Sequence, residues 1–313
     1  MSEMPNGVSQ LEAIHRLRKD LKDATKLIGR REARYLVDAY YQIQEMRKAS
    51  GNQIRSVTPK GEEERPVEPL EPHAILDWYN TNTELLENSL KKALSWYADS
   101  KPLGVWAQSI HGIGPVISAG LLAHIDFNPW RCLNKDAKKK CKSDAPCSEF
   151  CHFEKITTVG QIWSFAGLSV GQEWHKGERR PWNAQLKTLC WKIGDCFMKT
   201  YNSEKSFYGK IFAERWELEK QRNEQNQFAD QAKVKLEKFN IRKSTDAYKS
   251  YSTGKLPPAH ILARAERYTV KLFLSHYHAV GYEMQFGEKP PKPFVVEHLG
   301  HAHVIPPPNW PMP

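Results

Sequence analysis

The sequence contains no apolar run approaching the roughly 18 residues needed to cross a bilayer, so a membrane-spanning protein is not expected. Its start, MSEMPNGVSQLEAIHR, lacks the charged opening and apolar core of a secretory signal. A cytoplasmic chain is therefore expected, where disulfides are disfavoured. No convincing run of strands is found, which leaves a predominantly α class. Acid is in deficit: 36 Asp and Glu stand against 46 Lys and Arg, giving a net charge of +10 and a pI near 9.2. A balance this basic favours an anionic partner, nucleic acid ahead of an anionic membrane surface. Cysteine is sparse, six in 313 residues, but four of the six fall between positions 132 and 151.

What is present is mainly helical periodicity. Leu11, Ile14, Leu17, Leu21, Ala24 and Ile28 recur at three- and four-residue steps, and Tyr35, Val37, Tyr40, Tyr41 and Ile43 continue an apolar face. Residues 1–56 therefore read as an N-terminal helical arm with one long helix over 9–55, suited to a bundle or a coiled coil. Residues 57–72, rich in Pro and Glu, form a linker. Residues 73–285 read as one helical domain carrying two interruptions: a cysteine-bearing insertion at 128–155 and a long, charge-rich helical excursion at 204–250. Within that domain, a short helix is expected over 158–168, an apolar-periodic helix over 183–201 with Asn183 as cap, and a last amphipathic helix over 259–283. His276 and His278 flank Tyr277 on the last of these, so one should face the core and the other solvent. Residues 286–313 form a Pro- and His-rich tail that cannot be helical at its end; its His298, His301 and His303 read as a flexible tail ahead of a metal site.

The stretch IHGIGPVISAGLLAHI, residues 110–125, sets Gly112 and Gly114 around Ile113 and follows them with Pro115. Proline suits the first turn of a helix because its missing N–H would be unsatisfied there anyway. What precedes the glycines reads as helix, which argues against a dinucleotide fingerprint, since that motif needs a strand first. Two glycines between two helices make a tight turn whose bare amides at a helix N-terminus suit a phosphate. A plain helical hairpin, in which the glycines only turn the chain, is the competing reading.

This pattern resembles the helix-hairpin-helix module, which grips nucleic-acid backbone without reading sequence. The resemblance continues through VGQIWSFAGL, a basic Gly-containing loop, NAQLKTLCWKIGDCFMK and ARAERYTVKLFLSHYHAVGYE. The ordered set, over about residues 103–285, is similar to the C-terminal, serine-bearing domain of RNA-bridged insertion-sequence transposases. Their N-terminal RuvC-like nuclease domain has no counterpart here, because residues 1–100 read as helices rather than a β-rich acidic scaffold. By the resemblance, a catalytic serine belongs in loop 169–180, near the place of His175. Ser169 is the single hydroxyl of that loop and the candidate nucleophile; a turn-former's role competes with it, and a nucleophilic serine needs an activating partner that the sequence does not name.

Cys132, Cys141, Cys147 and Cys151 lie close enough on an irregular loop to converge on one tetrahedral ion. The spacing matches that of CCCH zinc fingers by analogy only, with Cys151 at the histidine position and His152 beside it. The segment also carries Arg131, Lys135, Lys138, Lys139, Lys140 and Lys142, and too few apolar residues to fold unaided. Structural zinc is expected, with an iron–sulfur cluster and free thiols as the alternatives. Cys190 and Cys196 lie on an apolar helix and read as core. Loop residues Lys176, Arg179 and Arg180, with Trp174 and Trp182 between them, suit phosphate contact plus base stacking, or else form a solvated loop.

The expected fold is thus mainly α: a helical bundle around a helix-hairpin-helix, with long coiled-coil-like helices and a small cysteine-rich metal knuckle. The expected function is binding of nucleic acid, DNA or RNA, by a protein of transposase ancestry. Phosphates would be held by Gly112, Ile113, Gly114, Lys139, Lys140, Lys176, Arg179 and Arg180, with no complete catalytic site. Two alternatives stand beside it: an active recombinase with a nuclease domain supplied in trans, and a helical interaction protein that forms a homodimer through its long helices.

Overall fold

The structure, a computed structural model, describes residues 19–58, 61, 72–135, 141, 147, 149–291 and 305–312. Among these the chain is mainly helical, with two three-residue strands. It divides into two compact units. One takes the described residues up to Val105 together with Gly114–His124; the other takes Trp106–Ile113 and the described residues from Ile125 onward. The chain therefore crosses between units twice within the glycine-bearing stretch.

In the first unit, helix α1 spans Lys19–Leu27, α2 Arg30–Val57 and α3 Pro72–Asp99. Residues 9–55 do not form one helix within the described part: the chain breaks at Ile28 and Gly29, and Gly29, in extended backbone, caps α2. The apolar periodicity runs straight through this break because Gly29 changes direction without changing which residues are apolar. Ala33, Val37 and Tyr40 of α2 are buried, as expected of a bundle face. The buried carboxylate of Glu87 on α3 is paired rather than stranded: Gln44 Nε2 donates to it at 2.9 Å, and the Arg47 guanidinium forms a salt bridge with it. Burial alone would raise the Glu87 carboxyl, but hydrogen bonds from Arg47, Gln44 and Tyr40 hold it below its ordinary value.

Helix α4 runs Pro102–Gln108 and α5 Pro115–His124. Every residue of α5 from Val116 to His124 is buried, so α5 is the centre of the first unit. Gly104 permits the close approach: a Cβ there would meet the Ala98 carbonyl oxygen at 2.2 Å and the Leu122 side chain at 2.9 Å. Ser118 Oγ donates to the Gly104 carbonyl at 3.0 Å and satisfies a buried hydroxyl in the process.

The second unit is organised on a 29-residue helix. Strands β1 (Trp130–Cys132) and β2 (Cys151–Phe153) precede α6 (Val159–Phe165) and α7 (Ala184–Lys199). Then come α8 (Phe207–Glu224), α9 (Ala229–Lys238), α10 (Asp246–Ser252) and α11 (Pro258–Phe286). Asn183 caps α7 as expected, its side chain accepting from the Leu186 amide at 3.0 Å. The 204–250 excursion is three helices rather than one. Asn226, at φ +57°, breaks it after α8, a conformation that asparagine tolerates better than most residues.

Trp106, Phe197, Tyr208, Phe273 and Tyr277 are fully buried and form the aromatic core of this unit, each burial worth on the order of 2 kcal/mol or more. Phe197 and Tyr208 stack at 4.7 Å, and Trp106 lies parallel to Phe273 at 6.3 Å. Tyr208 and two buried histidines find polar partners within the core. Tyr208 Oη and His276 Nδ1 are 2.7 Å apart, and His276 Nε2 lies 2.8 Å from the Ile305 carbonyl oxygen. Such an imidazole accepts from the tyrosine and donates to the carbonyl. His278 Nε2 meets the Ile156 carbonyl at 2.8 Å. His276 and His278 are both buried, which corrects the expectation that one faces solvent. The reason is that α11 is covered on more than one side: residues 305–312 return against it, with Trp106 Nε1 donating to the Pro308 carbonyl and Trp310 Nε1 to Glu283. This end of the tail is non-helical, as its prolines require. His298, His301 and His303 lie outside the described residues.

Candidate functional site

The two short strands exist to bring cysteines together. They pair antiparallel with Trp130 opposite Phe153, Arg131 opposite His152 and Cys132 opposite Cys151. Directly opposed residues share one face of a sheet, so the first and last cysteines of the segment meet across the ladder. The pairing is extended by Leu133 N–H to the Phe150 carbonyl at 2.7 Å and by Glu154 N–H to the Pro129 carbonyl at 2.9 Å. Cys141 and Cys147 return to the same point, and the four sulfurs all lie within 4.8 Å of one another.

Cys147 and Cys151 sulfurs are 3.4 Å apart, and Cys151 and Cys141 sulfurs 3.6 Å. A tetrahedral ion bound at about 2.3 Å by each thiolate would hold its sulfurs about 3.8 Å apart. A disulfide needs about 2.05 Å, and all four are free cysteines. The group is therefore arranged as a ligand set that can hold a metal ion. Its thiols are unequal. The Phe150 amide, with neighbouring sulfurs, holds Cys147 down to about 7, whereas burial pushes Cys151 up to about 12. The Cys141 backbone amide holds Cys132 down, and the Cys147 thiol pushes Cys141 up. Four thiolates this close repel one another, and a divalent cation at their centre reverses that repulsion. Lys139 and Lys140, the expected phosphate contacts of this segment, lie outside the described residues.

Gly112 has φ +99°, a left-handed conformation that glycine adopts freely, and its open side faces Phe197 and Thr200 at ordinary contact distance. Ile113 is buried, as expected, and its amide donates to the Ile110 carbonyl at 2.9 Å. Gly114 immediately precedes α5 in the first unit. Its carbonyl accepts from the Ser118 amide at 3.0 Å, Pro115 is the first helical residue, and no atom lies within 4 Å of a Cβ placed on Gly114. Helical geometry leaves the amides of this first turn without partners inside the helix.

The 167–183 loop is held at its ends and open in its middle. Gly167, at φ +67°, lets the Trp182 ring pack where a Cβ would stand 2.8 Å from it, and the Asn183 amide donates to the Phe165 carbonyl at 2.8 Å. Trp182 is thus an anchor, with Lys187 over its ring at 4.0 Å. Trp174 donates from Nε1 to the Glu178 carbonyl at 2.7 Å, and the Arg180 guanidinium lies 5.0 Å from its ring centre. Lys176, Arg179 and Arg180 are all exposed, and Lys176 and Arg179 have no ion-pair partner among the described residues.

Ser169 is half-buried and lines a cleft with Arg215, Glu219, Arg264, Arg267 and Lys271. Glu219, the carboxylate of that cleft, is already held by Arg215 and Arg264. Sequence inspection did not single out these four basic residues. The signal was present as Arg264, Arg267 and Lys271 at steps of three and four on one helix, a spacing that shares a face; their meeting with Arg215 and the serine loop is tertiary. Cys190 is buried and Cys196 half-buried, in keeping with the core role expected of them.

No protein-family model matches the chain, and no curated protein or solved structure is similar to it at a significant level. Among the described residues no helix is long and apolar enough to cross a membrane.

Proposed function

We propose that this chain binds nucleic acid, DNA by preference, holding phosphates through exposed basic loops and keeping a structural zinc ion in its cysteine knuckle. The observation that carries the reading is the open loop at 171–181. It presents Lys176 and Arg179 without ion-pair partners among the described residues, and Arg180 beside the Trp174 ring, on a chain of net charge +10. Unpaired cations interleaved with an aromatic face suit phosphate contact and base stacking together. The Gly114 amide, ahead of a proline-started helix and without an acceptor among the described residues, supports the same reading, whereas that of Ile113 is taken up by the Ile110 carbonyl.

Zinc is the metal the donor set supports. Four soft thiolates within 4.8 Å match one tetrahedral ion, while a cluster of several iron atoms would spread its sulfur ligands further apart. Cys132, Cys141, Cys147 and Cys151 fill all four positions, so the ion would order the segment and leave no place for a substrate. The order of motifs from Ile110 to the last helix supports descent from the transposase C-terminal domain. A strand-breaking role is not part of the proposal, since Glu219, the carboxylate lining the Ser169 cleft, is held by arginines.

Fluorescence anisotropy of a labelled duplex across a salt series tests the reading. Binding should weaken steeply as salt rises, and the double variant Arg179→Gln, Arg180→Gln should reduce the slope of log affinity against log salt by about 2. Absence of binding at low salt would overturn it.

A further inference from the structure

The cleft beside Ser169 is a second concentration of charge, away from the exposed loop tip and the cysteines. It has a volume of about 440 Å³ and is formed where the turn after α6 meets α8 and α11. Four cations line it, Arg215 from α8 and Arg264, Arg267 and Lys271 from α11, against the single carboxylate of Glu219, a net of +3. Glu219 is fully buried, so its charge is spent inside: Arg215 pairs with it, and Arg264 Nε donates to it at 2.7 Å. That internal pair orients two guanidinium planes. Each is backed by an aromatic ring, Tyr268 at 4.4 Å from Arg215 and Phe228 at 4.3 Å from Arg264.

The remaining donors are not consumed. Arg215 Nε is buried with no hydrogen-bond acceptor among the described residues, a costly arrangement for a charged group. Arg267 and Lys271 form no salt bridge among the described residues. Lys271 stands over the Trp163 ring at 4.1 Å, and burial holds its ammonium below the ordinary lysine range. Cations gathered at one concave site, positioned by a buried carboxylate and short of acceptors, are complementary to a compact, multiply charged oxyanion. A phosphate monoester dianion offers three oxygens to such donors, and the Ser169 hydroxyl lines the same cleft as a neutral donor.

We infer that this cleft binds a phosphate monoester group. Two sources share that chemistry: the terminal phosphate of a nucleic acid strand, which rests on the function proposed above, and a small phosphorylated molecule, which does not.

Isothermal titration calorimetry on the full chain, at fixed ionic strength, uses three probes. These are inorganic phosphate, and one oligonucleotide with either a 5′-phosphate or a 5′-hydroxyl end. Inorganic phosphate should bind the wild type. Arg267→Gln and Lys271→Gln should each weaken it about tenfold, the loss of one charge-assisted contact. Lys249→Gln, exposed on α10 and outside the cleft, should leave it unchanged. Arg267 is solvent-exposed, so its variant keeps the Glu219 pairs and should keep the wild-type melting curve. A 5′-phosphate that binds more tightly than the 5′-hydroxyl end, with the advantage lost in Arg267→Gln, supports the strand end as the source. Equal oligonucleotide affinities alongside phosphate binding support the small molecule. No heat with inorganic phosphate, or equal affinities in the wild type and both cleft variants, overturns the inference. Failure of the 5′-hydroxyl strand and the duplex to bind would instead strike the nucleic-acid reading and leave the cleft standing.

Discussion

Acidification should destabilise the second unit through His276, by an amount the structure sets. Burial pushes this imidazole down to about 4 from an ordinary 6.5. Tyr208 Oη at Nδ1 and the Ile305 carbonyl at Nε2 occupy both nitrogens of the neutral ring. Protonation would force two donors, the Nδ1–H and the Tyr208 hydroxyl, against each other. The unfolded chain therefore binds a proton near pH 6.5 that the folded chain refuses until about pH 4. The contribution is fully present above pH 6.5 and is lost as the pH falls toward 4. Between pH 7.5 and 4.5 the loss is about 2.5 kcal/mol, from the 1.36 kcal/mol that each pKa unit is worth. Urea unfolding at both pH values, followed by tryptophan fluorescence, measures the drop in the wild type and in His276→Gln. The variant loses some stability at both pH values, but its drop should be smaller than the wild type's by about 2.5 kcal/mol. Equal drops in the two proteins would refute the argument, because another group would then be carrying the titration. His124 in the first unit, also pushed down to about 4 by burial, titrates in the same window and cancels in the comparison.

Purified chain should contain about one zinc per molecule by mass spectrometry, and Cys132→Ser or Cys151→Ser should abolish it. A chelator should raise hydrogen exchange in the β1–β2 ladder while the α11 amides stay protected; protection unchanged in the ladder would refute a metal-ordered knuckle. Gly112→Ala should cost about 1–2 kcal/mol, because alanine resists the left-handed backbone there. Gly114→Ala, with open space around it, should cost well under 1 kcal/mol. Equal melting temperatures for these two variants would contradict the assigned turn geometry.

The cysteine group was legible in the sequence because its ligands are local. Twenty residues of loop can reach one point with little choice of path, so spacing and residue type suffice to name Cys132, Cys141, Cys147 and Cys151. The cap at Asn183 and the turn at Gly112 were legible for the same reason: each depends on a few neighbouring residues. The breaks at Gly29 and Asn226 were not, since periodicity records which residues are apolar and not where the axis turns. His276 and His278 defeated a one-faced view of the last helix because residues 305–312 come back to cover it.

Sequence alone determined the helical class, the positive charge and the four cysteines that can hold a metal ion, all of which follow from composition, period and short-range spacing. Only the tertiary structure decided which charges are spent and which remain free. Glu219 and Arg215 are four residues apart and read as an ordinary surface pair on a helix. Packing against α11 buries the carboxylate, adds Arg264 to it and gathers the remaining cations beside Ser169. Electrostatic strength depends on burial and on neighbours distant in sequence, and the chain acquires both only when α8 and α11 pack together.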